Sequence, residues 1–529
     1  MATLTRPGVY VDLSSFPTYA SATAGTAAAC FVGACPRGPL TPTFVTSWKN
    51  FTQYYGGFET AFPPSALHLA VYSYFSAGGT TAIIIRAYRT DTSGPTVASH
   101  NFADQATTTA QPSLEVKAQN PGAWGDNIYI DIQPGTILPP VGSSDMTPLS
   151  FTLVVKYQGT APSNIVEQWQ NISMVPGSTI AGQNNYAPDI INSPYTGSNY
   201  ITVTDLSVLN STPTPPPHNN PAATTASQGL LGGGDGSALT LTDIQTAVQL
   251  LDQYPDQPFV LQLPGISDAT TLGPVIGYAQ NRGDVFLVVD CPPGVSDPAT
   301  MVSLAQGLGA TSQAAIYYPQ VQISDPYSPV AGRTRLIPPG GFVTGQYIAT
   351  DASRGVAKAP AGLGTSLLGV SGLESILSNV DQGILTQGNV NCIISVPGSG
   401  VVIWGARTLS PYLVTRYVPV ERTIIYLRTE LVSLSRFAVF EPNDWVLWNQ
   451  IGSVIAQFLT QFWQSGGLQG MSAADAFYIT CDGTNNTPAT IQQGIVNVEV
   501  GVALQYPAEF VVISIGQWAG GQSVSVSTS

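Results

Sequence analysis

The stretch DVFLVVDCPPG, residues 284–294, sets five consecutive apolar residues between Asp284 and Asp290 and then stops at Cys-Pro-Pro-Gly. Alternation is absent, so neither face is left for water. A short apolar run of this kind, closed by turn residues, is the pattern of a strand covered on both sides. PFVLQLPG (258–265) and AAIYYPQV (314–321) repeat it on either flank, and LTDIQTAVQLLDQY (241–254) begins as a capped helix. Together they predict buried parallel strands in an α/β layer.

The same layer returns toward the N-terminus. AACFVGACPRGP (28–39) is an apolar strand closed by Pro-Arg-Gly-Pro, SALHLAVYSYFSAGG (65–79) has helical spacing and ends on glycines, and TAIIIRAY (81–88) is another buried strand. Residues 101–225 differ: they are rich in Thr, Ser, Asn and Pro, with alternating runs NIYIDIQ (127–133) and SFTLVVKY (150–157), and they end in STPTPPPHNNPAATT. This predicts an all-β insertion with a proline-stiffened exit.

From about residue 396 a further unit is expected. ERTIIYLRTELVSLSRF (421–437) places Ile424, Leu427, Leu431 and Leu434 on one face and Arg422 and Arg436 opposite. EPNDWVLWNQIGSVIAQFLTQFWQSGG (441–467) carries the stripe Leu447, Ile451, Ile455, Phe458 and Phe462. Strands are predicted at 476–482, 494–504 and 509–518. The expected organisation is α+β and multidomain: an arm at 1–24, a middle α/β domain from 25–100 and 226–395, an outer β-rich protruding domain at 101–225, a C-terminal inner domain at 396–518, and a second arm at 519–529.

The two arms alternate with period two. Val9, Val11 and Leu13 oppose Tyr10, Asp12 and Ser14, and Val524 and Val526 stand between serines. Neither has a hairpin partner nearby, which leaves strand-forming backbone groups unspent. Gly520 and Gly521 separate the last strand from the preceding domain, as a hinge would.

Only 9 % of the 529 residues are charged, with a net charge of −14, against about 25 % in a typical soluble domain. A weakly charged surface is easily desolvated and suits a subunit buried against copies of itself. Fourteen acids face only Lys117 and Lys156 between Thr90 and Asn281, and no Lys or Arg follows Arg436. Such a distribution disfavours nucleic acid as a partner. Five scattered cysteines predict reduced thiols rather than a disulfide framework. The N-terminal sequence predicts no signal peptide, and no run approaches a membrane span.

Catalytic signals are weak. His68 sits in an apolar helix, while His100 and His218 sit in polar, loop-like sequence, with no G-x-S-x-G elbow to accompany them. Cys30 and Cys35 lack a second ligand pair for a metal, and GLLGGGDGS (229–237) lacks the Lys-Ser/Thr of a phosphate loop. No catalytic residue, metal or cofactor is expected. DASRGVAKAPAG (351–362) brings Asp351, Arg354 and Lys358 into a charge-poor region, as an ion-paired turn or a contact with another subunit. Arg407, in VVIWGARTLS (401–410), is a structural or intersubunit arginine at a strand end.

RPGVYV (6–11), FVGACPRGP (31–39), NPGAWGDNI (120–128), LGGGDG (231–236) and DCPPG (290–294) recur in one order with DASRGVAKAPAG (351–362), VVIWGART (401–408), RFAVFEPND (436–444), LWNQIGSVIAQFLTQFW (447–463) and PAEFVVISI (507–515). In that order and spacing they resemble the contractile tail sheath proteins of myophages and related contractile injection systems. The resemblance implies a subtilisin-like middle domain and terminal arms that add strands to neighbouring subunits. It also implies stacked helical rings around a tail tube, assembled in the host cytoplasm into a virion tail, with baseplate and terminator proteins as further partners. Arg422, Arg428 and Arg436 fall where such sheaths meet the tube. Nucleic acid and membrane insertion are not implied. A non-contractile virion shell or tube protein is the alternative, followed by a virion-surface carbohydrate-active enzyme.

Overall fold

Val285–Asp290 lies inside an eight-stranded sheet. The strand order is Thr43–Val45, Ala82–Arg86, Ala28–Gly33, Phe259–Gln262, Val285–Asp290, Ala314–Tyr318, Val390–Val396 and Gly400–Trp404. The six inner strands run parallel and the outermost strand on each side is antiparallel. In this computed structural model the described residues are 27–59, 62–106, 109–141, 143, 145–209, 214–255 and 257–510. The expected arm strands, with Val9, Tyr10, Val11, Leu13, Val524 and Val526, and the hinge Gly520–Gly521 fall outside them.

The apolar runs are buried because both faces of the sheet are covered. Every residue of Ala82–Arg86, Phe259–Gln262, Val285–Asp290 and Ala314–Tyr318 is buried. On one face Val285, Leu287, Val289, Leu261 and Ile316 share a core with Leu272, Val275 and Ala279 of the helix Ala269–Arg282 and with Met301 and Ala305 of Pro298–Gly307. Ser65 caps Ala66–Ser76, and a reciprocal Thr240–Asp243 capping box opens Leu241–Gln249.

Where Val285–Asp290 ends, Asp290 is buried and accepts from Gln262 Nε2 at 2.7 Å, Gly265 N at 3.2 Å and Gly340 N at 2.9 Å. Burial pushes its carboxyl up to about 7 against the pull of those donors. Gly340 has no room for a β-carbon, which would meet Asp290 Oδ1 and lie 2.7 Å from Gln262 Nε2. At the far side of the sheet, the free edge of Gly400–Trp404 is occupied by the chain itself. Gly362 N donates to Ile403 O and Leu367 N to Val401 O, each at 2.8 Å.

Besides a two-stranded sheet of Thr179–Ile180 with Gln183–Asn184, the inserted segment folds into two larger antiparallel sheets. One holds Gln228–Gly229, Ile128–Pro134, Phe151–Tyr157 and Ile165–Ile172; the other holds Ile201–Asp205, Pro112–Ala118 and Ser99–Ala103. Their alternating residues, including Ile128, Ile130, Ile132, Leu114 and Val116, close a separate core. That core reaches from Ala98 to Leu230 and takes in Ala187 and Ile191 from a short helix.

The protein is a mixed α/β, multi-sheet chain with twelve α-helices among the described residues. It divides into two compact units, one of 26–349 with 361–409, the other of 350–360 with the chain from 410 on. No helix among the described residues is long and apolar enough to cross a membrane.

Candidate functional site

The unit of 350–360 and 410 onward is built on two eighteen-residue helices, Val418–Ser435 and Trp445–Phe462. Asp444 caps the second through the Val446 and Leu447 amides. Leu447, Ile451, Ile455, Leu459 and Phe462 meet Val420, Tyr426, Leu427 and Val356, and the Tyr426 and Phe462 rings lie 5.5 Å apart. The predicted stripe holds except that Leu459 is fully buried and Phe458 only partly so.

Against this core lies a two-stranded antiparallel sheet, Phe477–Thr480 with Glu499–Val502. Its pairs Phe477–Val502 and Ile479–Val500 turn inward, while Tyr478–Gly501 and Thr480–Glu499 face the other way. Tyr478 donates to Glu499 Oε1 at 2.9 Å, and its ring occupies the space a β-carbon on Gly501 would need. Among the described residues neither strand has another partner, so each shows one open edge. The strand expected over 494–504 is shorter because Asn486, almost fully buried, takes both the N–H and the C=O of Asn497 at 2.6 and 3.0 Å. Of the strand expected over 509–518, residues 511–518 lie outside the described residues.

Asp351 and Arg422 come together. The guanidinium straddles the carboxylate, Nη1 to Oδ1 at 2.9 Å and Nη2 to Oδ2, with side-chain exposures of 1 % and 2 %. Asp351 sits in the last turn of the helix Gly340–Arg354, where the helix dipole disfavours an acid; Arg422 supplies the compensating charge. The face of 421–437 read as opposite to the apolar stripe is therefore covered at Arg422, whereas Arg428 is half-buried and Arg436 exposed. Arg354 is exposed. Lys358 is half-buried, its Nζ donating to Ala359 O at 2.6 Å, and burial followed by the Arg354 charge pushes its ammonium pKa down.

Arg407 belongs to the other unit. Its Nη1 donates to Thr386 O at 2.7 Å and its backbone exchanges bonds with Asn391, fastening the end of Gly400–Trp404 to the neighbouring strand. Sequence reasoning gave no role to Asp290, Arg86 or Arg37. The signal for the first two was a charge closing an apolar run, in VFLVVD and AIIIR.

No protein-family model matches the chain, and no curated protein matches it in sequence. Solved structures do share its fold. The helical sheath of the anti-feeding prophage in its contracted state is 20 % identical, with 97 % of this chain and 100 % of that one covered, at a TM-score of 0.55. A sheath tail protein from Listeria innocua is 12 % identical over 88 % of this chain and 90 % of that one, at 0.59. Another from Desulfitobacterium hafniense is also 12 % identical, over 90 % and 94 %, at 0.54. The fold of this chain is that of contractile sheath proteins.

Proposed function

We propose that this chain is the repeating subunit of a contractile tail sheath, a structural rather than an enzymatic role. Copies would stack as helical rings around a tail tube between baseplate and terminator, in a virion tail assembled in the host cytoplasm. Contraction would drive the tube through the host envelope. The observation that carries this reading is the hairpin of Phe477–Thr480 and Glu499–Val502, with an edge open on each side in a chain of sheath fold. Two edges suit two arms. The alternating termini, 5–15 and 519–529, supply strands of the right length to complete a four-stranded sheet on neighbouring copies.

In this proposal the eight-stranded sheet is the subtilisin-like layer, its strands ordered 2-3-1-4-5-6-7-8 along the chain. Arg428 and Arg436 are the tube-facing candidates, since the Arg422 guanidinium is spent on Asp351. Arg354 and Lys358 are candidates for contact with another subunit. A gain of a few kcal/mol per copy, roughly the burial of two large apolar side chains, becomes hundreds of kcal/mol over on the order of a hundred copies. Arms hinged at Gly520 and Gly521 would keep neighbours joined while rigid bodies turn.

Truncation after Trp518 tests the arm. Negative-stain microscopy of the full chain should show hollow cylinders, and the truncated chain should give dispersed subunits. Cylinders at normal yield from the truncated protein would dismiss strand exchange.

A further inference from the structure

The inserted sheets and the eight-stranded sheet have separate apolar cores; Phe62 of the main layer packs against the insertion's core, and polar and cation–π contacts add to the joint. Arg37, in the turn after Ala28–Gly33, reaches out of the main layer into a cage of three aromatic rings on the insertion. Its guanidinium carbon stands 4.3 Å from the Trp124 ring centre, 4.4 Å from Tyr200 and 5.9 Å from Tyr157. Nη2 donates to Asn199 O at 2.9 Å and to Gln53 O at 3.4 Å, so one nitrogen holds both bodies. Arg37 is only 4 % exposed, its Nε has no hydrogen-bond partner, and no ion pair to it forms among the described residues.

Glu59, on the same main-layer side of the joint as Arg37, adds a second hold on the insertion. It accepts from Tyr157 Oη and, at 3.0 Å, from Gln158 Nε2. Arg86 donates to Pro121 O at 2.7 Å and to Gly38 O at 2.9 Å. Within one compact unit, a joint between two separate cores that has Phe62 as its apolar contact and otherwise cation–π and hydrogen-bond contacts resembles a releasable interface more than a shared core.

We propose that Arg37 is the positioning residue of a latch: its guanidinium, gripped by Trp124, Tyr157 and Tyr200, locks the β insertion to the eight-stranded sheet, and withdrawal of that cation frees the insertion to swing while its own core stays folded. A guanidinium spreads its charge over a weakly hydrated plane, so contact with several aromatic rings at once calls for a guanidinium and not merely a positive charge.

The test is hydrogen exchange on the full chain, comparing the joint (peptides over 119–127 and 196–203) with the insertion's interior strands (128–134 and 151–157). Arg37→Ala should speed exchange at the joint by roughly tenfold or more and leave the interior strands protected. Arg37→Lys should fall in between. Millimolar N-ethylguanidinium should restore joint protection in Arg37→Ala, and ethylammonium at the same concentration should not. Unchanged joint exchange in Arg37→Ala would overturn the latch. So would loss of protection through the interior strands of both variants, which would make Arg37 part of the insertion's own fold. Equal rescue by the two cations would overturn the requirement for a guanidinium.

Discussion

Replacing Arg422 by Met leaves Asp351 as a lone carboxylate, 1 % exposed, at the C-terminal end of a helix. Water cannot reach it and the helix dipole opposes its charge. Removing one partner of such a buried pair costs about 3–5 kcal/mol. The unit that contains the pair has roughly 110 described residues, for which an unfolding entropy of about 2.1 cal/mol/K per residue converts that loss to a fall of about 15 °C in its melting temperature. Calorimetry is the appropriate assay, because two compact units make a single two-state transition a poor assumption. Asp351→Leu combined with Arg422→Met should recover most of the loss, since an apolar pair of similar volume carries no stranded charge. The reasoning fails if Arg422→Met costs less than about 1 kcal/mol, or if the double variant melts as low as the single one.

Asp290 should give the unit built on the eight-stranded sheet a pH-dependent stability. Its pKa in the fold, about 7, lies above the ordinary carboxylate value near 3.9; its contribution is therefore complete below about pH 4 and is lost as pH rises through 7, on the order of 4 kcal/mol in all. Urea denaturation at pH 5 and pH 8 should show that decline in the native chain, while Asp290→Asn should flatten it; an unchanged slope would rule Asp290 out. Gly340→Ala forces a β-carbon onto the Asp290 carboxylate and should destabilise the same unit by about 1–3 kcal/mol, measured by the same denaturation. Gly501→Val would evict the Tyr478 ring and distort the proposed acceptor hairpin, so polymer yield by sedimentation should fall while the helices, followed by circular dichroism, persist.

The central sheet was legible because VFLVV, FVLQ and AAIYY lack any polar alternation, and only a strand covered on both faces tolerates that. Trp445–Phe462 was legible from its Asp444 cap and its stripe at helical spacing. Arg422 was read as lying opposite the apolar stripe, on a tube-facing side, because periodicity describes one helix in isolation, and the covering group, Asp351, is seventy-one positions away. The same limit hid Arg37. Nothing in CPRGP shows that the Trp124 and Tyr200 rings will pack against its guanidinium; that is fixed by where the insertion docks. Over 494–498 the strand pattern was outcompeted by the Asn486 side chain, a local choice that alternation does not encode.

If copies join by lending strands, as proposed above, they run the risk of lending them in the wrong place. The loop at 362–367, laid along the last strand of the large sheet, works as a blank flange: that rim is already taken, so an incoming tail finds no purchase there. In the proposed exchange the edges that Phe477–Thr480 and Glu499–Val502 leave open among the described residues are the sockets to be filled, and the plug at 362–367 takes one competing rim out of play.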